Sequence, residues 1–246
     1  MLIEMPRCTL CGFYSEEISS SIGVCVNCLR RDPYKALKHV KTVREKWREY
    51  IGLPKEPPRD GSVKCTLCVN ECEISQGLVG YCGMIKNIND RLVPITDSFD
   101  VAYLHWYYDP LPTNCVADPV CPERKHYGYY NLAVFFAGCN LDCLFCQNIE
   151  HKYMVSQGVV HDKSKLYSVS ELVEIAMKRR VACVCYFGGD PSSSIIYALK
   201  VSREILRRSK EENANKRICW ETNGLENPNT IREMTKISLM KLFFSS

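Results

Sequence analysis

No stretch of this 246-residue chain stays apolar for the roughly 20 residues that a membrane helix requires, so no membrane partner is expected. The first ten residues lack a signal-peptide layout, because Glu4, Pro6, Arg7 and Cys8 interrupt any apolar core. Internal repeats and low-complexity tracts are missing, which excludes repeat arrays. Charge of one sign is scarce: the net charge of +4 does not point to nucleic acid. Histidine is scarce too, with five scattered residues. His126, His151 and His161 could line a pocket, but a lone His is more often a surface or core residue than a catalyst. These absences imply a cytoplasmic protein. With 46% hydrophobic residues, the length suits one large domain or two to three small ones.

What the chain has in quantity is cysteine, 16 in all. In a reducing cytosol, thiols at short fixed spacings are metal ligands more often than disulfides. Cys8-x-x-Cys11 and Cys25-x-x-Cys28 are two knuckles thirteen residues apart. Each pins two thiolates in a tight turn, and together they close a tetrahedron, which predicts a zinc ribbon over residues 1–32. In so short a segment the metal supplies most of the folding free energy. Cys65, Cys68, Cys72 and Cys82 form a second group, for a second zinc or an auxiliary cluster, and spacing does not separate the two. Cys115 and Cys121 read as extra ligands or as buried thiols. Cys183, Cys185 and Cys219 fall in buried-strand patterns, where a free Cys packs as a small apolar residue.

Between the first two groups the pattern predicts a helix from Asp32, which can cap it, with Pro33 in its first turn. Its expected apolar stripe is Tyr34, Leu37, Val40, Val43, Trp47 and Tyr50, with Lys35, Lys38, Lys41, Arg44, Lys46 and Arg48 as a solvated basic face. Residues 53–61, rich in Pro and charge, read as a linker, so that 33–60 is helix plus linker and 61–128 a Cys-rich extension. From residue 129 the pattern alternates. Residues 132–137 and 181–187 read as strands buried on both faces, and 217–220 as a third. Residues 168–180 form a helix opened by a Ser168/Glu171 capping box, 195–208 a second, and Asn227 caps a third at Pro228. This βαβαβα order predicts parallel strands with crossover helices.

The run Gly138-Cys139-Asn140-Leu141-Asp142-Cys143-Leu144-Phe145-Cys146-Gln147-Asn148 follows directly on the first of these strands. Sites in parallel α/β architectures sit where strands end and loops begin. Soft thiolates select iron–sulfur clusters or zinc. Structural zinc and cubane clusters both normally take four ligands. Here three thiols crowd into eight residues and no fourth Cys or His lies close in sequence, which points to a cluster with one open iron.

That triplet, with an aromatic before its last Cys, resembles the cluster motif of radical S-adenosylmethionine (SAM) enzymes. The resemblance implies that Cys139, Cys143 and Cys146 bind a [4Fe–4S] cluster whose open iron is chelated by SAM. It implies reductive cleavage to a 5′-deoxyadenosyl radical, which abstracts hydrogen from a substrate, and Phe145 packing near the adenine. Phe187-Gly188-Gly189-Asp190-Pro191 resembles the family's Gly-Gly-Glu-Pro segment, which holds the SAM amino group, with Asp190 in place of Glu. Glu221-Thr222-Asn223-Gly224 is similar to the Asp-Thr-Asn-Gly segment of glycyl-radical-enzyme activases, which makes Glu221, Thr222 and Asn223 pocket residues. The Cys65–Cys82 module and the Cys146-Gln147-Asn148 ending resemble the pyruvate formate-lyase-activase-like subgroup.

The implied fold is α/β: a partial (βα) barrel over 129–246, preceded by small Cys-rich metal-binding modules. Three βα units are present where the family has about six, so a truncated product is expected, with residues 239–246 opening a fourth strand. The implied function is an activase-like radical SAM enzyme with an unknown substrate, a protein or a small molecule, and an electron donor. The alternatives are a non-catalytic iron–sulfur or zinc-binding module, one half of a split enzyme with a partner chain, and an electron-transfer ferredoxin.

Overall fold

A computed structural model describes residues 5–112, 115–238 and 243–244. The chain divides into two compact units, Met1–Glu56 and Pro57–Ser246.

In the first unit, the Cys8 amide donates to the Phe13 carbonyl at 2.7 Å and closes the first knuckle. Cys25 caps helix α1 (Val26–Arg31), its thiol accepting from the Cys28 amide at 3.5 Å. Asp32 caps α2 (Pro33–Tyr50) through the Lys35 amide at 3.0 Å, with Pro33 at the first position as expected. The buried stripe of α2 differs from the expected one. Ala36 and Val40 pack with Val24, Leu10 and Ile22, whereas Tyr34, Leu37 and Tyr50 are exposed. Two adjoining stripes fit the helical period, and the small Ala36 marks the one used. Arg48, expected on the solvated face, is buried, with its Nε donating to the Pro54 carbonyl at 2.6 Å.

The second unit opens with β1 (Val63–Lys64) and β2 (Glu73–Ile74), paired antiparallel. A hairpin of β3 (Ile85–Ile88) and β4 (Arg91–Pro94) follows. Its turn residues, Asn89 and Asp90, both take positive φ, as a two-residue hairpin loop demands. Then come β5 (Val101–Pro110), β6 (Tyr130–Phe136), α3 (Glu150–Met154), β7 (Leu166–Ser168), α4 (Val169–Ala176), β8 (Val181–Tyr186), α5 (Ile195–Glu211), β9 (Arg217–Thr222), α6 (Pro228–Ile237) and β10 (Phe243–Phe244).

The main sheet runs β10-β9-β8-β6-β5-β7. Strands β6, β8, β9 and β10 are parallel, as the alternating pattern predicts. Strands β5 and β7 join antiparallel, so the sheet is mixed and open, and no closed barrel forms among the described residues. Strand β5 pairs with β6 over seven residues, so residues 61–128 contribute a strand to the sheet of 129–246. Its aromatic-rich sequence, Tyr103 to Tyr108, suits a strand. Of the tail read as a fourth strand, Phe243 and Phe244 pair with Glu221 and Thr222, and 239–242 and 245–246 lie outside the described residues.

Helices α4, α5 and α6 cover one face of the sheet. Leu132, Val134, Phe136, Val184, Tyr186, Ile218 and Trp220 meet Leu172, Val173, Ala198, Val201, Ile205 and Met234 there. Tyr186 stacks on Trp220 at 4.7 Å and on Phe136 at 5.7 Å. Alternation along each strand sends Phe135, Cys183, Cys185, Phe187, Cys219 and Glu221 to the other face. The capping box at α4 is complete: Ser168 Oγ accepts from the Glu171 amide and Glu171 from the Ser168 amide. Ser168→Ala should lower the stability of the chain by about 1 kcal/mol in urea denaturation.

Candidate metal centre and its cleft

Parallel registry brings three strand ends to one edge. Val134 of β6 lies beside Tyr186 of β8, and Tyr186 beside Trp220 of β9. Past these ends run the loop of Cys139–Cys146, the Gly188–Asp190 turn and the Glu221–Asn223 segment. Together they line an open cleft of about 680 Å³, within the roughly 300–1,000 Å³ of small-molecule sites. Cys139, Cys143, Phe145, Cys146, Gly188, Gly189, Asp190, Glu221 and Asn223 are all on its wall. Phe145 is 78% exposed, an aromatic ring on the cleft wall.

Gly188 and Gly189 are required by space as well as by conformation. Both have φ near +60 to +70°. A Cβ on Gly188 would sit 1.7 Å from Phe135 Cδ1, and one on Gly189 would sit 2.2 Å from the Phe136 carbonyl oxygen. The turn thus lies against the end of β6, with the Phe136 amide donating to Gly188 O at 3.2 Å.

Asp190 is buried and holds this edge together. One carboxylate oxygen accepts from the Ser192 amide at 2.9 Å, the other from Thr222 Oγ1 and the Asn223 amide, both at 3.0 Å. Asn223 Nδ2 in turn donates to Asn140 Oδ1 at 2.6 Å, in the cysteine loop. Thr222 is buried and bonded to Asp190 and Glu226, and it does not line the cleft. Glu221 does, and its Oε1 accepts from Cys185 Sγ at 3.4 Å. Burial raises the Glu221 carboxyl above the usual range.

Cys139 and Cys143 are protonated in the metal-free chain. Burial pushes Cys139 up to about 12 and raises Cys143, so a metal must displace their protons. The Leu141 amide donates to Cys139 Sγ at 3.4 Å. One residue of the wall, Lys152, carried no sequence signal, while His151 is one of the three His read as able to line a pocket. Lys152 is buried and donates from Nζ to the carbonyls of Cys139 at 3.0 Å and Leu141 at 2.6 Å, fastening the loop. His151, five residues past the triplet, places Nε2 3.6 Å from Cys146 Sγ. It corrects the expectation that no His lies close. Burial, and then the charge of Lys152, depress its imidazole to about 3, so it is neutral. Only the single turn of α3 brings these two side chains back to the loop.

The other cysteine groups separate by geometry. Cys8 Sγ lies 3.8 Å from Cys28 Sγ, Cys11 Sγ lies 3.7 Å from Cys25 Sγ, and all four sulfurs fall within 4.8 Å of one another. Four thiolates at about 2.3 Å from one zinc would be about 3.8 Å apart, so a single tetrahedral ion fits here. Cys65, Cys68, Cys72 and Cys82 line one cavity in the second unit. Burial pushes Cys65 and Cys68 up to about 12. Cys183 and Cys185 are buried and Cys219 half-buried, on the sheet face opposite the helices; Cys183 Sγ donates to Asn131 Oδ1 at 3.4 Å.

Residues 133–244 match the family model described as the radical SAM superfamily, so the chain carries a radical SAM domain. Such a domain implies an iron–sulfur cluster and SAM. A search of the curated proteins returned no match. Among the described residues, no helix is long and apolar enough to cross a membrane.

Two outcomes follow from the edge geometry. Gly189→Ala should cost about 1–3 kcal/mol from backbone strain alone, read by chemical denaturation. Glu226, bonded to Thr222 beneath the clamp, is raised to about 7 by burial and then by Asp190. A raised folded value means that the protonated acid stabilises fully below its ordinary value of 4.5, and that this is lost as pH rises through about 7. Glu226→Gln cannot ionise, so its stability should gain on the wild type across that window, by up to roughly 3 kcal/mol, in melts between pH 4 and 8.

Proposed function

We propose that this chain is a radical SAM enzyme in which Cys139, Cys143 and Cys146 ligate three irons of a [4Fe–4S] cluster and SAM chelates the fourth. The observation that carries the reading is that these three thiols and the Gly188–Gly189 turn share one cleft at the ends of three parallel strands. The thiol chemistry suits the group: soft sulfur ligands, Cys139 and Cys143 held protonated until metal arrives, on a loop that two Lys152 hydrogen bonds fasten. When bound, the reduced cluster supplies the electron that splits SAM to a 5′-deoxyadenosyl radical for hydrogen abstraction.

The chain's own residues position that chemistry. Gly188 and Gly189 leave backbone bare at the wall for the amino group of SAM. Phe145 offers its exposed ring to the adenine. Glu221 and Asn223 line the same cleft, while Asp190, with both oxygens engaged, acts through position. Thr222 acts beneath it as a positioning residue. His151 stands beside the Cys146 sulfur as a hydrogen-bond partner. Cys8, Cys11, Cys25 and Cys28 hold zinc, supported by their 3.7–3.8 Å edges. An activase-like substrate rests on the Cys146-Gln147-Asn148 and Glu221-Thr222-Asn223-Gly224 resemblances. The sixteen thiols, none paired as a disulfide among those described, suit a reducing compartment with a low-potential electron donor.

The test is anaerobic loading with iron and sulfide, followed by SAM and a reductant. The wild type should form 5′-deoxyadenosine, and Cys139→Ala/Cys143→Ala/Cys146→Ala should form none. Iron uptake without 5′-deoxyadenosine in the wild type would sink the catalytic reading. His151→Gln should keep its iron and the SAM-induced change in the cluster's spectrum; loss of iron would make His151 a ligand and close the open site.

A further inference from the structure

The Cys65–Cys82 group shares with the first unit's group the thiol–amide bonds of a metal site. Every one of its thiols accepts a backbone amide. Tyr81 N donates to Cys72 Sγ and Met84 N to Cys82 Sγ, each at 3.4 Å, and the amides of Leu67 and Asn70 serve Cys65 and Cys68. Amides aimed at sulfur favour the thiolate that a metal needs. The four cysteines line a shared cavity together with Leu67, Ile74, Ile85, Asn140, Ser192 and Ser193. Ser192 is 3% exposed, and its Oγ finds no hydrogen-bond partner among the described residues. A buried hydroxyl without a partner is costly in an apolar cavity, and a sulfide- or thiolate-rich group there would relieve it.

Separation decides between one ion and a cluster. Among the described residues, only the Cys8, Cys11, Cys25 and Cys28 group closes to within 4.8 Å. Cys65, Cys68, Cys72 and Cys82 are spread wider around their cavity, too wide for the edges of about 3.8 Å around a single zinc. A cubane, with an iron at each thiolate, takes up that extra width.

We propose that Cys65, Cys68, Cys72 and Cys82 hold a second, fully thiolate-ligated iron–sulfur cluster directly behind the Cys139 loop. The two sites touch. Asn70 Nδ2 donates to Asn140 O at 2.6 Å, and a Cβ on Gly138 would sit 2.6 Å from the Cys82 carbonyl. Val69 N and Leu67 O also bond to Leu225 and Asn227, past the end of β9, at 3.0 and 3.1 Å. The inference settles the metal at a site whose four cysteines were read from sequence as zinc or cluster ligands. It stands apart from the assignment of the open cluster.

The test is metal analysis and low-temperature electron paramagnetic resonance on the full chain, loaded without air in the presence of iron, sulfide and zinc. Cys139→Ala/Cys143→Ala/Cys146→Ala leaves the second module intact. It should retain about four irons, half the wild-type content, and one zinc, with a reduced-cluster signal that SAM does not alter. A triple variant with no iron and a second zinc overturns the proposal. Cys65→Ser/Cys68→Ser should show the converse, with iron halved and a SAM-sensitive signal kept; unchanged iron would overturn it, and if this variant does not fold the triple variant decides. Failure of the open-site reading has a separate signature, a wild type whose iron equals that of the triple variant.

Discussion

The carboxylate of Asp190 is the interaction on which the functional edge depends. One buried side chain ties the turn after β8 to the segment after β9, and through Asn223 to the cysteine loop after β6. A carboxylate that accepts two backbone amides and a hydroxyl makes strong, charge-assisted bonds, and burial keeps water from competing for them. Three loops that belong to three different strands are thereby held as one wall. The shorter Asp, standing where the resembled segment has Glu, is of the right length to bridge protein to protein.

Much of this edge was legible in the sequence because local chemistry fixes it. The Ser168/Glu171 box, the Asp32 and Asn227 caps and the apolar strand runs are each decided within a few residues, and each appears in the structure. The cysteine triplet and the two glycines are likewise local signals, and the cleft brings them together. What escaped depends on contacts across the chain. The antiparallel places of β5 and β7 follow from which sheet edge was free. The burial of Arg48 follows from a carbonyl six residues on. Lys152 reads as an ordinary polar residue and His151 as a lone His that could line a pocket, and only the return of α3 to the loop gives them their partners. Thr222, expected on the pocket wall, turns inward because β9 alternates and Asp190 and Glu226 wait on that side.

Sulfur spacing separates cysteine groups that composition treats alike. In the first unit four thiols close to the edges of a single tetrahedral ion. In the second unit the thiols of Cys65–Cys82 and of the triplet stand further apart, one group around an enclosed cavity and the other along an open cleft. Number of ligands, spread and openness together distinguish what is stored from what is presented. On the sheet face opposite the helices, Cys183 and Cys219 pack with Leu111, and Cys185 donates to Glu221 at the cleft wall.

The contact at Gly138 joins the two cysteine groups through the backbone. The cysteine loop begins where a hydrogen atom, and nothing larger, fits against the Cys82 carbonyl. Any side chain at residue 138 would therefore have to push the cysteine loop and the Cys82–Met84 turn apart, so a change at this one position strains both cysteine groups at once.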